Sequence, residues 1–205
     1  MLPSVGKETA ESILRFWFGT ATDDLEVSGQ CAKMWWKKNP QVDAEIRQRF
    51  AAVVDAAASG QCDSWLENAR GRLAMIIMVD QFSRNMYRDT PRAFAFDSLA
   101  LSWAKEGIAS GADQTLRPIE RIFFYMPLEH SESLEDQQRA VALTTALAAQ
   151  VTPEKRDLFE GYVDFAKRHR DIVQRFGRFP HRNAILERSS TPEELEFLKQ
   201  PGSSF

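Results

Sequence analysis

Apolar residues along the chain recur at helical spacing, and no segment sustains the alternation of a strand. The pattern predicts helices over about 7–18, 30–38, 40–59, 64–87, 91–110, 116–127, 134–150, 153–177 and 192–199. Four starts carry a capping residue just ahead of a proline: Asn39-Pro40, Thr90-Pro91, Thr152-Pro153 and Thr191-Pro192. The cap oxygen accepts an orphan backbone N–H, and proline at the first helical position has none to lose. Glu194, three residues after Thr191, completes a capping box. Gly19, Gly60, Gly111 and Gly177 fall just past expected ends, where a left-handed residue is wanted. The connections are short, which favours antiparallel neighbours. The expected fold is one all-α domain over 1–205, an antiparallel stack of about nine helices.

Two segments stand out within that stack. Leu73–Val79 is apolar on every face and is expected to cross the centre. Asp80 and Arg84 follow it, one turn apart on one face. Further on, Leu158, Tyr162, Phe165, Ile172 and Phe176 read as an inward stripe that carries His169 with it. Pro127 is expected to end or kink its helix, leaving Glu129 and His130 in the bend. Trp35-Trp36 and Phe16-Trp17-Phe18 read as packing between helices.

Charge changes the picture locally. The net charge is −3, which argues against a DNA-binding protein and leaves little support for RNA. Residues 167–188 nevertheless hold seven basic side chains against Asp171 and Glu187, a local +5. The rest of the chain therefore carries −8. Cys31 and Cys62 have no metal-ligand spacing and read as reduced thiols of a cytoplasmic protein. The N-terminus lacks a signal-peptide pattern, and the longest apolar run falls far short of the ~20 residues that cross a bilayer. No membrane association is expected.

The candidate chemistry is that of an anion site. Arginine forks match carboxylate and phosphate geometry, and histidine can add a donor. His169, Arg170, Arg175, Arg178, His181, Arg182 and Asn183 lie on one helix and the turn leaving it. Asp80, Arg84 and Asn85 end the central helix and could face them, with Glu129 and His130 nearby. The competing reading is that these charges form ion pairs that fix helix packing. The three histidines lack i, i+3 or i, i+4 spacing, so no metal is expected. Neither a P-loop nor a dinucleotide fingerprint occurs, so no cofactor is expected.

Several segments resemble the domain-of-unknown-function family 924. They are Asp80–Asn85, Phe124–Glu132, His169–Ile172, Arg175–Asn183 and Ser190–Glu194. The resemblance implies a tetratricopeptide-like superhelix without regular repeats, and it implies no particular reaction. Ser83 stands where that family usually has proline, and Glu187 where it usually has glycine. By analogy with the fold class, the leading expectation is an interaction or scaffold domain that takes a protein or peptide partner and has a His/Arg-rich pocket. The alternative is an enzyme or binding protein for a small anionic metabolite.

Overall fold

The structure, a computed structural model, describes residues 8–204. Ten α-helical segments follow in order: α1 Ala10–Phe18, α2 Asp24–Trp36, α3 Pro40–Ala58, α4 Ala69–Ile76, α5 Ser83–Met86, α6 Asp97–Ala109, α7 Pro118–Glu129, α8 Leu134–Gln150, α9 Arg156–Phe176 and α10 Pro192–Phe197. A π-helical turn, Ile77–Phe82, joins α4 to α5 without a break. Counted as one, that run leaves nine helices, and no strand occurs among the described residues.

Most expected helices form, with informative shifts. The expected start at Lys7 lies outside the described residues, as does the rest of 1–7 in the N-terminal segment read for a signal peptide. Helix α2 begins six residues early because Asp23 accepts from the N–H groups of Leu25 and Glu26. Asn39 caps α3, and Thr191 with Glu194 forms the capping box of α10. Thr90 and Thr152 make no capping bond; their prolines open short 3-10 turns instead. The Thr90 hydroxyl donates backward to Tyr87 O, so it is not offered to the turn ahead. Pro127 does not end α7, which runs on to Glu129. It sits in the last turn, so its missing N–H removes a single helical bond near the terminus, where His130 N still closes on Met126 O.

The core is built on α4 and the π turn. Leu73 to Val79 have no solvent exposure. Helices α1, α6 and α7 pack on α4, while α3, α6 and α7 pack on the π turn. Helix α7 is itself buried along nearly its whole length. Gly71 is required where the chain crosses Asp63–Glu67, since a Cβ there would lie 2.1 Å from Trp65 O. Helices α7, α8 and α9 pack in succession through short connections. The face that α9 buries is Phe159, Val163, Ala166, His169, Ile172 and Val173. This is one position round from the expected stripe. Leu158, Tyr162 and Phe165 are only half-buried, because they border a cleft.

The two departures from the family pattern both fall at awkward places. Glu187 adopts φ +55°, a conformation that favours glycine. Ser83 is fully buried, and its hydroxyl has no partner among the described residues. Glu187→Gly should therefore raise the free energy of unfolding by about 0.5–1 kcal/mol. Ser83→Ala should raise it by about 1 kcal/mol by removing an unpaired buried polar group. Urea denaturation of both variants checks this; a loss of stability in either would show that the hydroxyl or the carboxylate has a role not visible in its contacts.

Candidate functional site

The site begins at the π turn. Such a turn closes i→i+5 bonds and often marks a functional place in a helix. Here it carries Asp80, whose side chain has no solvent exposure. A buried carboxylate must be paired. Arg84 Nη1 donates to Asp80 Oδ1 at 2.8 Å and to the Asp80 backbone oxygen at 3.0 Å. Gln81 Nε2 donates to Oδ2 at 2.6 Å. His130, the residue that caps α7, brings Nδ1 to 2.7 Å from Oδ1. Burial alone would raise the Asp80 carboxyl; the Arg84 guanidinium and His130 outweigh it and hold the group well below the usual carboxylate range. Asp80 is thus an anion, and His130 Nδ1–H is the donor to it. That leaves His130 Nε2 as the acceptor nitrogen, and His130 lines the cleft.

Arg84 also makes a two-pronged pair with Asp97, 2.9 Å on each side. Asp97, at the start of α6, is shared: Arg182 Nη1 approaches it at 3.4 Å. Arg182 is 6% exposed. Its guanidinium lies 4.5 Å from the ring centre of Phe179 and 4.9 Å from that of Phe94. Its Nε has no hydrogen-bond partner among the described residues. Burial and then Arg84 push its pKa down to about 10, against the opposing pull of Asp97, Glu132 and Asp80.

Two more histidines sit around Phe179. His169 stands 5.7 Å from that ring and His181 5.6 Å. His169 Nδ1 lies 3.0 Å from the Phe165 carbonyl, which can only accept, so Nδ1 holds the proton. Burial pushes His169 down to about 3 and His181 to about 4; it also holds His130 below its ordinary value. All three imidazoles are neutral at neutral pH. Glu129, the last residue of α7, is 4% exposed and makes no side-chain hydrogen bond among the described residues. Burial, and then the Asp80 carboxylate, push its pKa up to about 8, so it keeps its proton at neutral pH.

These groups open on one cleft of about 1020 Å³. Its other walls are aromatic: Trp36, Phe94, Tyr162 and Phe165. Trp36 is 42% exposed and so corrects its reading as packing alone. One face stacks on buried Phe123, with ring centres 5.8 Å apart, and the side chain reaches the cleft. Lys37, Lys38 and Arg88 also border it. The arrangement can hold an anion, offer a hydrogen from Glu129 and accept one at His130.

The structure gathers eight of the candidate residues here: Asp80, Arg84, Asn85, Glu129, His130, His169, His181 and Arg182, with Asp80 behind the cleft wall. Four lie elsewhere. Arg170 pairs with its neighbour Asp171 at 2.6 Å on the surface of α9. Arg175 meets Glu193 at 2.8 Å, and Arg178 meets Glu194 at 2.6 Å. Asn183 donates to Ser190 Oγ at 3.0 Å and to Glu194. These three fasten α10. Arg188 pairs with Glu132 at 2.6 Å, so the basic segment is answered largely within the molecule. Asp97 and Phe94 were not singled out from the sequence, and Trp36 was read there only as packing. Asp97 resembles any acid at a helix start, and an aromatic on a cleft wall resembles one in the core. No group of three metal-ligating side chains able to hold an ion occurs among the described residues. Among them, too, no helix is long and apolar enough to cross a membrane.

Fold and site together define an all-helical protein in which a buried ion network opens on an aromatic-walled cleft. Residues 13–202 match the family described as bacterial protein of unknown function (DUF924), and the chain belongs to that family. It is also similar to a solved structure of a protein of unknown function from Agrobacterium tumefaciens. The identity is 38%, the TM-score 0.78, and the match covers 93% of this chain and 96% of that one. No curated protein matches the chain.

Two outcomes follow from the network. Asp80→Ala leaves His130 Nδ1–H without its acceptor and Arg84 with Asp97 alone, and should cost about 3–5 kcal/mol in urea unfolding; a loss below about 1 kcal/mol would show that the buried pair is not held as described. Glu129 acts in the opposite sense. Its folded value of about 8 lies above the ordinary 4.5, so the native state binds the extra proton between those values. The stability this gives is full below the unfolded value and is lost as pH rises towards about 8. Glu129→Gln, a neutral isostere, should match the parent near pH 4 and exceed it increasingly up to pH 8. Thermal unfolding across that range reads the margin; a constant margin would mean that folding does not shift the Glu129 carboxyl.

Proposed function

We propose that the cleft binds a small amphipathic anion, a carboxylate or phosphate at one end with an apolar body at the other. The observation that carries this reading is Arg182. It is buried, it has an unpaired Nε, and its one ion pair among the described residues, at 3.4 Å, is to an aspartate that Arg84 already engages in two bonds. Leaving a guanidinium in this state is costly, and an incoming anion would complete its coordination. Trp36, Phe94, Tyr162 and Phe165 offer the apolar body a wall. The cleft volume of about 1020 Å³ suits a metabolite-sized ligand.

A scaffold role that docks protein partners has less support. Among the described residues, the exposed large hydrophobic side chains are Leu25, Trp36, Leu134 and Leu195, spread over α2, α8 and α10. Among these, Trp36 borders the cleft. They do not make the contiguous patch that a docking surface requires.

Thermal-shift screening with aryl and alkyl carboxylates and phosphate monoesters should find saturable stabilisers. Arg182→Ala should weaken them by about 10- to 100-fold, the worth of a charge-assisted hydrogen bond. Arg175→Ala, remote from the cleft, should leave binding unchanged. Equal losses in the two variants, or none in Arg182→Ala, would sink this assignment.

A further inference from the structure

Glu129 is an odd neighbour for a bound anion, because it is itself an acid. Its position is fixed: its backbone oxygen accepts from Gln137 Nε2 at 2.6 Å, and its side chain borders the cleft. It is nine-tenths buried or more and has no side-chain partner among the described residues. The groups around it do not favour ionisation. Asp80 lies on the π turn, and Glu129 itself closes α7, at the negative end of the helix dipole. Arg84, on α5, is engaged by Asp80 and by Asp97 of α6. His130 beyond α7, His169 on α9 and His181 after it are neutral. Arg182 lines the same cleft, but burial and Asp80, not Arg182, set the Glu129 carboxyl.

We propose that Glu129 meets the ligand as a neutral carboxylic acid and donates its hydrogen to the anionic group bound in the cleft. The cleft then selects anions of weak acids, carboxylates and phosphate monoesters, over sulfonates and sulfates of similar shape. An O–H···O⁻ bond is short and strong when the acceptor is basic, and a sulfonate oxygen is a poor acceptor. Two acids pressed together share one proton for the same reason that two buried carboxylates do. The pKa of about 8 agrees with this: the proton is present at neutral pH and is lost in mild alkali. Selectivity of this kind rests on the anion-binding reading above and adds to it the chemical class of the head group.

The test uses the full chain and two probes with the same ring and the same charge, benzoate and benzenesulfonate. Both are fully ionised from pH 6 to pH 9. Titration calorimetry at pH 6 should show benzoate at least about tenfold tighter. Between pH 6 and pH 9 benzoate should weaken by about tenfold, one decade for each unit above the Glu129 value. Benzenesulfonate should change far less. In Glu129→Gln, whose amide cannot titrate, the preference should shrink to within about threefold and the pH dependence should vanish. Melting curves establish that this variant is folded. Equal affinity for the two probes in the parent, or a preference unchanged in Glu129→Gln, overturns the proton-donor role while leaving anion binding in place. Failure of both probes to bind at millimolar concentration overturns both readings.

Discussion

The carboxylate of Asp80 is the constraint around which the site is arranged. A charge with no solvent contact is tolerable only with partners on its oxygens. Those partners come from separate parts of the chain: Gln81 on the π turn, Arg84 on α5 and His130 after α7. Each brings a need of its own. Arg84 has donors left over and takes Asp97. Asp97 in turn draws in Arg182. The result is an alternating line, Asp80–Arg84–Asp97–Arg182, with neutral His130 hydrogen-bonded to its first member, in which every charge but the last is closely matched. Two arginines share Asp97, and the shorter contacts go to Arg84. The residual positive charge therefore falls at Arg182, beside the cleft.

The apolar packing sets the chemistry as much as the shape. Helix α4, the π turn and α7 are almost wholly dry. In such surroundings a group without a close opposite charge takes its neutral form. His169, His181 and Glu129 illustrate this from both sides, the imidazoles losing their protons and the carboxyl keeping its own. The same burial acts on Asp80 and fails, because Arg84 and His130 are in contact with it. Three neutral titratable groups thus surround one fixed ion line, and each can respond to a charge that enters.

Much of this was legible in the sequence, and the physics says which parts. The caps at Asn39 and Thr191, the glycine ends and the dry run Leu73–Val79 are local signals, and they appear in the fold. The Asp80–Arg84 pair is one helical turn long and could be read directly. What sequence could not sort was which arginine does what. Arg175, Arg178 and Arg182 fall within eight residues in similar company. The first two are taken by Glu193 and Glu194, and the third reaches Asp97 across 85 positions. The register of α9 slipped by one position because Tyr162 and Phe165 are apolar at a cleft wall, where composition looks like that of a core. The π turn left no mark, since a wider turn needs no special residue.

The turn after α9 has a consequence for how the site comes together in time. Gly177, at φ +69°, ends the helix and sends the chain back so that Phe179 meets His169, ten residues earlier, and His181 follows. These contacts close short loops, and short loops cost little entropy. The bonds that join this half to the rest span far more chain: 47 positions from Phe179 to Glu132, 85 from Arg182 to Asp97. Contacts of that separation govern the pace of folding. Arg182 therefore leaves water only when segments far apart in the chain meet, Phe94 and Asp97 on one side and Phe179 on the other.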